Sequence, residues 1–239
     1  MKRKFWNWVK NEDTGERILQ LNGEISDQTW FGDEVTPGLF RDELNASSGD
    51  VTVWINSPGG DCFAAAQIYN MLKNYSGNVN VRIDGLAASA ASVIAMAGNT
   101  VSMSPVAMMM IHNPATVAIG DAREMKQAMD MLGEVKESII NAYEMKTGMN
   151  RTKLSHLMDA ESWFNAKKAV ELGFADSILF EDSMADDDES IKAMIFSRAA
   201  VTNSFLDKFR PVKPIEPIVD NRVDVGQLKR RLELIGGNV

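Results

Sequence analysis

The sequence contains one cysteine and two histidines in 239 residues. A single cysteine excludes an internal disulfide framework and fits a reducing compartment. The chain also lacks an apolar run close to the ~20 residues that a membrane-spanning helix needs. Its first residues are basic, but polar residues then interrupt any signal-peptide core. We therefore expect a cytoplasmic protein with no membrane partner.

Positive charge is also scarce in this chain. Lys and Arg together number 25 against 33 Asp and Glu, so the formal net charge is −8. An acidic chain argues against nucleic acid and anionic lipid as partners. The histidines and the cysteine lie far apart in the sequence and form no metal-ligand cluster, and no phosphate-binding loop is present. We expect neither a metal nor a cofactor.

Strand and helix patterns alternate along the chain. Strands are predicted at residues 5–9, 17–21, 51–56, 79–84, about 100–104 and 107–112. Helices are predicted at residues 37–44, 61–75, 89–97, 121–146, 151–158 and 166–172. The first two strands flank a plausible hairpin turn at residues 11–15. Repeated strand–helix units predict an α/β fold with mostly parallel strands.

The composition changes after residue 180. Residues 181–190 are mostly acidic and read as a solvated linker. Prolines then break residues 211–218 into an extended stretch, and residues 225–235 could form a short amphipathic helix. We expect a domain at 1–180, followed by an acidic linker and C-terminal tail at 181–239 that carries no chemistry.

The most informative stretch is residues 85–92, GLAASAAS. It follows a predicted buried strand and precedes an apolar helix. Ser89 therefore lies on a strand-to-helix turn among residues no larger than alanine, with room for a substrate backbone beside its hydroxyl. This is the setting that an acyl-transfer nucleophile needs, although small-residue runs also serve close helix packing.

Two further segments carry chemistry. Residues 55–60, INSPGG, end a β-rich run in two glycines, which let the backbone turn sharply and present bare N–H groups. Residues 109–114, MMIHNP, place His112 at the end of an apolar strand. The alternative for His112 is a structural role, in which its ring hydrogen-bonds to neighbouring residues at the end of the strand. His156 is interpreted as an ordinary helix residue.

In this order, INSPGG, GLAAS and MMIHNP resemble the ClpP-type serine peptidases, and residues 163–178 resemble that family's C-terminal helix and strand. The resemblance covers about residues 17–180. It implies a ClpP/crotonase-type β/α/β spiral, with Ser89 as nucleophile and His112 as general base. It also implies that the backbone N–H groups of Gly60 and Ala90 hold the oxyanion. The implied substrate-binding segment is Gly59, Gly60, Asp61, Cys62 and Phe63, although Cys62 alone reads better as a small buried thiol.

The third member of the triad departs from the family pattern. An ungapped match through residues 163–176 places Glu161 where the family has an aspartate, and Asp159 lies two residues earlier. Glutamate can orient an imidazole, although its extra methylene requires a different backbone placement. We prefer Glu161 and keep Asp159 as the alternative. Asp176 falls at a position that the family does not use for catalysis.

The resemblance also implies assembly and a biological setting. Relatives form heptameric rings that stack face to face, and residues 121–146 match the helix that joins the rings. Residues 5–9, 23–25 and 161–164 look most like the phage-encoded head-maturation proteases, which cut capsid or scaffold proteins in the host cytoplasm or inside the assembling prohead.

Other functions remain open at this point. The main alternative is a housekeeping peptidase fed by an ATP-driven unfoldase. A catalytically impaired ring subunit and a crotonase-like acyl-CoA enzyme are weaker alternatives, because neither needs Ser89 and His112 together.

Overall fold

The computed structural model describes residues 5–10, 16–26 and 37–180. These residues contain eight strands and six helices. The strands are β1 (Trp6–Lys10), β2 (Arg17–Asn22), β3 (Val51–Ser57), β4 (Val79–Ala88), β5 (Thr100–Met103), β6 (Met108–Ile111), β7 (Ser162–Asn165) and β8 (Ser177–Ile178). The helices are α1 (Pro37–Leu44), α2 (Cys62–Lys73), α3 (Ala90–Ala95), α4 (Ala122–Thr147), α5 (Arg151–Asp159) and α6 (Ala166–Glu171). No helix in these residues is both long and apolar enough to cross a membrane.

The strands form one mostly parallel sheet in the order β1-β2-β3-β4-β5-β8, with β6 beside β4 and β7 beside β6. Only the β1–β2 and β6–β7 pairs among the described strands are antiparallel. This confirms the predicted α/β class. Parallel neighbours require crossover connections, and the helices that alternate with the strands supply them.

Strand β4 organises the sheet because its two halves have different neighbours. Its first half pairs with β5 and its last residues pair with β6, both in parallel. On the other side, Ile55 of β3 pairs with Ile83, whereas Ser57 pairs with Ala87, so β4 carries two extra residues there. Such an irregularity bends a strand and increases its twist. The bend lets β4 pass from one group of strands to the next.

The core lies between the sheet and helices α2 and α3. In β4, buried residues alternate with partly or fully exposed ones as far as Asp84, so only one face of this part of the strand is fully buried. Helix α3 contributes small side chains that let it pack close to the strands, and all six of its residues are buried. The first residue of α2 follows an Asp61 N-cap, whose side chain accepts a hydrogen bond from Ala64 N at 2.6 Å.

Helix α4 behaves differently in its two halves. It begins with an Asp121–Glu124 capping box and ends at Gly148 in the left-handed conformation. Its only buried residues are Ile140, Ala142 and Tyr143, near its C-terminal end. The first half has no fully buried residue and keeps only partly buried contacts, among them those of Met125 and Leu132.

The predicted elements agree with the structure apart from two differences. Strand β4 continues to Ala88, past the predicted end at residue 84, so Ser89 follows the strand directly. Strand β7 was not predicted. The hairpin turn at 11–15 and the C-terminal tail at 181–239 lie outside the described residues, so the domain boundary after residue 180 stays a prediction.

Candidate active site

Three neighbouring parallel strands end at the same edge of the sheet and bring the predicted motifs together. Strand β4 lies between β3 and β6. Gly59 and Gly60 follow β3, Ser89 follows β4, and His112 follows β6. Residues that follow the carboxyl ends of adjacent parallel strands meet in space, where α/β proteins commonly bind ligands. The topology therefore explains why segments distant in sequence share one site.

Ser89 sits on a sharp turn between β4 and α3. Its φ of 54° and ψ of −125° lie where residues other than glycine are rarely found. A hydrogen bond from Ser89 N to Met110 O, 2.9 Å long, holds the turn against β6. The turn lifts the side chain away from the sheet, as in the strained strand-to-helix elbow of α/β-hydrolases.

The hydroxyl of Ser89 lies within proton-transfer reach of His112. Ser89 Oγ and His112 Nε2 are 2.7 Å apart. Burial lowers the pKa of His112, and the negative charge of Glu161 acts in the opposite direction without cancelling that effect. The imidazole is therefore neutral near pH 7. A neutral imidazole whose proton is on Nδ1 can accept the serine proton at Nε2.

Glu161 adjoins His112 because of the pairing of β6 with β7. The antiparallel register sets Ile111 opposite Ser162, so the next position on each strand is His112 and Glu161. Glu161 has a φ of 48°, another unusual conformation for a residue with a side chain. In the described residues, no hydrogen bond joins the two side chains. Their proximity is nevertheless sufficient for Glu161 to raise the pKa of His112.

Asp159 is engaged elsewhere. Its Oδ1 accepts hydrogen bonds from Lys136 Nζ at 2.6 Å and from Asn113 Nδ2 at 2.8 Å. These two bonds, that to Lys136 foremost, hold the pKa of Asp159 below its usual value. The side chain is about half exposed, at 49%. Asp159 thus ties the residue after His112 to helix α4, and among the described residues its hydrogen bonds go to Asn113 and Lys136 and not to the imidazole.

The two glycines after β3 lie against the Ser89 turn. A Cβ on Gly59 would come within 2.7 Å of Ser89 Cβ and 2.9 Å of Ala90 N, and a Cβ on Gly60 would overlap the carbonyl oxygen of Ile25. Both glycines have positive φ, 96° and 143°. Only residues without a side chain fit this close approach.

Some backbone amides near these glycines donate hydrogen bonds within the fold, and others do not. Ile25 N donates to Gly59 O and Asp61 N donates to Ile25 O, both at 2.8 Å. Because successive amides of extended chain point to opposite sides, the Gly60 N–H faces away from Ile25. No hydrogen bond among the described residues uses the N–H of Gly60 or of Ala90. Both donors are free to bind a substrate oxygen.

Cys62 and Phe63 belong to the first turn of α2, so they do not extend the strand-like segment that ends at Gly60. They line a cavity of about 470 Å³ between α2, α3 and α4, which reaches Ala90. Burial, with a smaller contribution from Asp61, raises the pKa of the Cys62 thiol, which keeps the thiol protonated. Phe63 is 64% exposed.

The remaining candidates lie away from the site. His156 is an exposed residue of α5. Asp176 accepts hydrogen bonds from Val101 N and Lys146 Nζ, each 2.7 Å long, and so fixes a turn. No group of three His, Cys, Asp or Glu within the described ranges is arranged to hold a metal ion.

Two residues beside Ser89 were missed in the sequence. Ser92 and Tyr143 form a buried hydrogen bond directly behind the turn. Ser92 was read as part of a run of small residues, and Tyr143 falls within the apolar stripe of α4. The only sequence signal for this pair was that Ser92 and Tyr143 each place a hydroxyl at a position expected to be buried.

Comparison with known proteins gives a consistent result. The family model for Clp protease matches residues 2–182. ATP-dependent Clp protease proteolytic subunit 2 of Thermobifida fusca is 28% identical over 166 residues, which is 69% of this chain and 81% of the relative. The proteolytic subunit of Bacteroides fragilis strain ATCC 25285 is 29% identical over 168 residues, 70% of this chain and 80% of the relative. Proteolytic subunit 1 of Chlamydia muridarum is 32% identical over 151 residues, 62% of this chain and 79% of the relative. The chain therefore belongs to the Clp protease family and is a serine peptidase.

Proposed function

We propose that the chain is an endopeptidase in which Ser89 is the nucleophile and His112 the general base. The observation that carries this proposal is the 2.7 Å separation of Ser89 Oγ and His112 Nε2. A serine hydroxyl is a poor nucleophile until a base takes its proton. The Ser89 turn presents the hydroxyl, and the neutral imidazole of His112 can take its proton.

The reaction proceeds through an acyl-enzyme. Ser89 Oγ attacks the carbonyl carbon of the scissile peptide bond while its proton passes to His112 Nε2. The imidazolium then gives that proton to the leaving amine, and the C–N bond breaks. A water molecule next loses a proton to His112 and attacks the acyl carbon. The imidazolium returns that proton to Ser89 Oγ as the ester bond breaks, which releases the new carboxyl terminus and restores the Ser89 hydroxyl.

The negative oxygen of the tetrahedral intermediate needs preorganised donors. The unused N–H groups of Gly60 and Ala90 suit this role because they flank the Ser89 turn and no other hydrogen bond competes for them. The backbone at Gly60 would bind extended substrate, with Gly59 and Asp61 holding it in place. Cys62 and Phe63 would contribute the wall of the adjoining cavity, whose largely apolar lining suits an apolar substrate side chain.

We assign the acid of the triad to Glu161, which would orient the imidazole of His112 and stabilise the imidazolium that forms during the reaction. Replacing Glu161 with glutamine should lower kcat by about 10-fold to 10,000-fold, the range between a weak and a strict dependence on the acid. The same change removes a negative charge that raises the pKa of His112. The acidic limb of the kcat/KM profile, which follows deprotonation of the imidazole, should therefore move to lower pH.

Asp159→Asn is the matched comparison. It should leave that acidic limb in place, because the charge of Asp159 is compensated by Lys136. A pH–rate profile of each variant with a fluorogenic peptide distinguishes the two acids. An acidic limb that moves in Asp159→Asn and stays fixed in Glu161→Gln would transfer the role to Asp159.

We further propose that the chain acts as an oligomeric ring, with the stacked heptamers that the family resemblance implies. The support from the structure is the exposed first half of α4. Met129 is 71% exposed and Met131 42% exposed, so these methionines are not core residues of a single chain. Sedimentation at micromolar concentration should give a species several times the 26.4 kDa protomer. A monomer alone would contradict the ring.

The biological role that we favour is maturation of a phage head, with a capsid or scaffold protein as substrate. The segments that resemble the phage enzymes include β1, the Ile25–Gly60 bridge and β7, which are structural parts of the site or its support. The appended tail after residue 180 also fits this role. In this setting the enzyme works in the host cytoplasm or within the assembling prohead.

A housekeeping role is the second candidate. It is favoured by the three named relatives, which are all proteolytic subunits of ATP-dependent Clp proteases. A housekeeping peptidase depends on an ATP-driven unfoldase to deliver folded substrates. The two roles therefore differ in their requirement for ATP.

Co-expression with the capsid and scaffold proteins of the same genome tests the choice. Intact mass should show specific truncation of one of these proteins with wild-type enzyme and none with Ser89→Ala, without an ATPase. Degradation to small peptides that requires an unfoldase and ATP, or a genome without capsid genes, would instead support the housekeeping role. The same mass spectra reveal any self-processing of the tail.

A further inference from the structure

Ser92 is the only serine in the described chain whose buried side chain reaches the carbonyl of Ser89. It lies one turn into α3 and is 0% exposed. Its Oγ donates to Ser89 O at 2.6 Å and lies 2.8 Å from the hydroxyl of Tyr143 on α4. Three oxygen atoms from two helices and the strained turn thus form one short chain of hydrogen bonds.

The direction of this chain follows from the number of protons available. A carbonyl oxygen only accepts, so the single proton of the Ser92 hydroxyl goes to Ser89 O. Tyr143 must then donate to Ser92 Oγ. Burial raises the pKa of Tyr143 well above its usual value, so the phenol keeps the proton that it donates. Hydrogen bonds in such a series polarise and strengthen one another.

The carbonyl at the end of this chain belongs to the peptide group that carries the Ala90 N–H. A peptide group is planar and its C=O and N–H point in opposite directions. Holding Ser89 O on the interior side therefore aims the Ala90 N–H toward the open side, where Gly60 lies. The backbone N–H of Ser92 also binds Ser89 O, at 3.0 Å, but it lies on the same short helix and adds no outside anchor.

Tyr143 provides that outside anchor. Its ring is 1% exposed and packs edge-on against Phe174, with centroids 5.5 Å apart and an interplanar angle of 72°. This contact fixes the position of the hydroxyl from the core side of α4. The Ser89 turn is thereby tied to a helix that takes no direct part in the chemistry.

We propose that Ser92 and Tyr143 are positioning residues that aim the Ala90 N–H at the reacting oxygen. The inference rests on the proposed function, because it matters only if Ser89 and Ala90 form the nucleophile and the oxyanion donor. It predicts that removing the hydroxyl chain lowers kcat and leaves KM nearly unchanged. An oxyanion donor acts on the transition state and contributes little to binding of the ground state.

Three variants test the proposal by steady-state cleavage of a fluorogenic peptide and by thermal melting. Ser92→Ala should lower kcat by about 10-fold to 100-fold, a part of the effect of losing one oxyanion donor, with KM changed less than about twofold. Tyr143→Phe should give a smaller decrease in kcat of about 3-fold to 10-fold. The double variant should have the same kcat as Ser92→Ala within about twofold, because Tyr143 acts through Ser92.

Stability separates positioning from a merely structural role. Ser92→Ala leaves the buried Tyr143 hydroxyl without a partner, which is costly, whereas the double variant removes that hydroxyl. The double variant should therefore melt at a higher temperature than Ser92→Ala while its kcat stays low. A kcat that recovers together with the melting temperature would overturn the proposal, and so would an unchanged kcat in both single variants.

Two controls complete the experiment. Tyr75→Phe removes a tyrosine hydroxyl that binds Gly49 O at 2.7 Å, far from the site, and should lower stability without lowering kcat. Ser89→Ala tests the function on which the proposal depends. Full cleavage by Ser89→Ala would overturn the proposed function itself. Loss of cleavage in Ser89→Ala, together with wild-type kcat in Ser92→Ala and Tyr143→Phe, would overturn only the positioning role.

Discussion

Replacing Ser89 with alanine should abolish peptide cleavage while the protein stays folded. The change removes the oxygen that forms the acyl-enzyme, and losses of about 1,000-fold or more are typical when a serine nucleophile is removed. The hydroxyl makes only its hydrogen bond to His112 Nε2 within the described structure. Its loss therefore leaves only His112 Nε2, on a half-buried side chain, without this partner, and the rest of the fold keeps its contacts. Fluorogenic peptide hydrolysis and circular-dichroism melting measure the two effects.

Ser102→Ala is the matched control for this variant. Ser102 lies on β5 of the same sheet, and its hydroxyl binds that of Ser177 at 2.9 Å near the sheet edge. This control should keep full activity, since it loses a serine hydroxyl at a distance from the site. Equal losses in the two variants would indicate that the sheet, and not the hydroxyl of Ser89, supports activity.

Gly60→Ala should have the second largest effect, lowering both activity and stability. A Cβ at this position overlaps the Ile25 carbonyl oxygen, and the backbone φ of 143° already disfavours a side chain. The loop must shift, which moves the Gly60 N–H away from the reacting oxygen. Losing one oxyanion donor lowers kcat by about 100-fold to 1,000-fold, and backbone strain of this kind costs about 1–3 kcal/mol.

Gly49→Ala is the control that introduces backbone strain at a positive φ without a steric clash. Gly49 also has a positive φ, 105°, but a Cβ there meets nothing within 4 Å. It precedes β3 at the end of the strand opposite the site, so this variant should lose stability and keep its kcat. Comparable kcat losses for the two glycine variants would argue against a role for the Gly60 amide.

The sequence was sufficient to locate the three motifs because each one depends on local chemistry. The glycines at 59 and 60, the small residues around Ser89 and the histidine after an apolar strand are all readable without knowing their neighbours. The alternation of strands and helices then implied a parallel sheet. In such a sheet the residues that follow adjacent strands meet, and this is where the structure places the motifs.

Interactions between distant segments were harder to predict. Strand β7 has only four residues, and its pairing with β6 sets Glu161 beside His112. Only the ungapped match to the family pattern favoured Glu161 over Asp159, since both acids precede the same aromatic residues. The Lys136–Asp159 ion pair, which engages the competing acid, joins α4 to the end of α5 and has no sequence signature.

The role of α4 also required tertiary information. Methionines at helical spacing fit a core helix as well as a surface that binds another protein. The structure buries only Ile140, Ala142 and Tyr143 of this helix, so its apolar residues serve two purposes in different halves. The C-terminal part supports the Ser89 turn through Tyr143, and the exposed part is available for assembly.

The site at which a fluorophosphonate attaches decides whether Ser89 is activated by His112. The reagent forms a P–O bond with an activated serine and releases fluoride, so peptide mapping by mass spectrometry identifies the oxygen directly. We expect one adduct, on the peptide that contains Ser89, formed at least about 100-fold more slowly in His112→Asn, because the base contributes at least that factor. An adduct on another residue, or equally fast labelling of Ser89 without His112, would contradict the proposed mechanism.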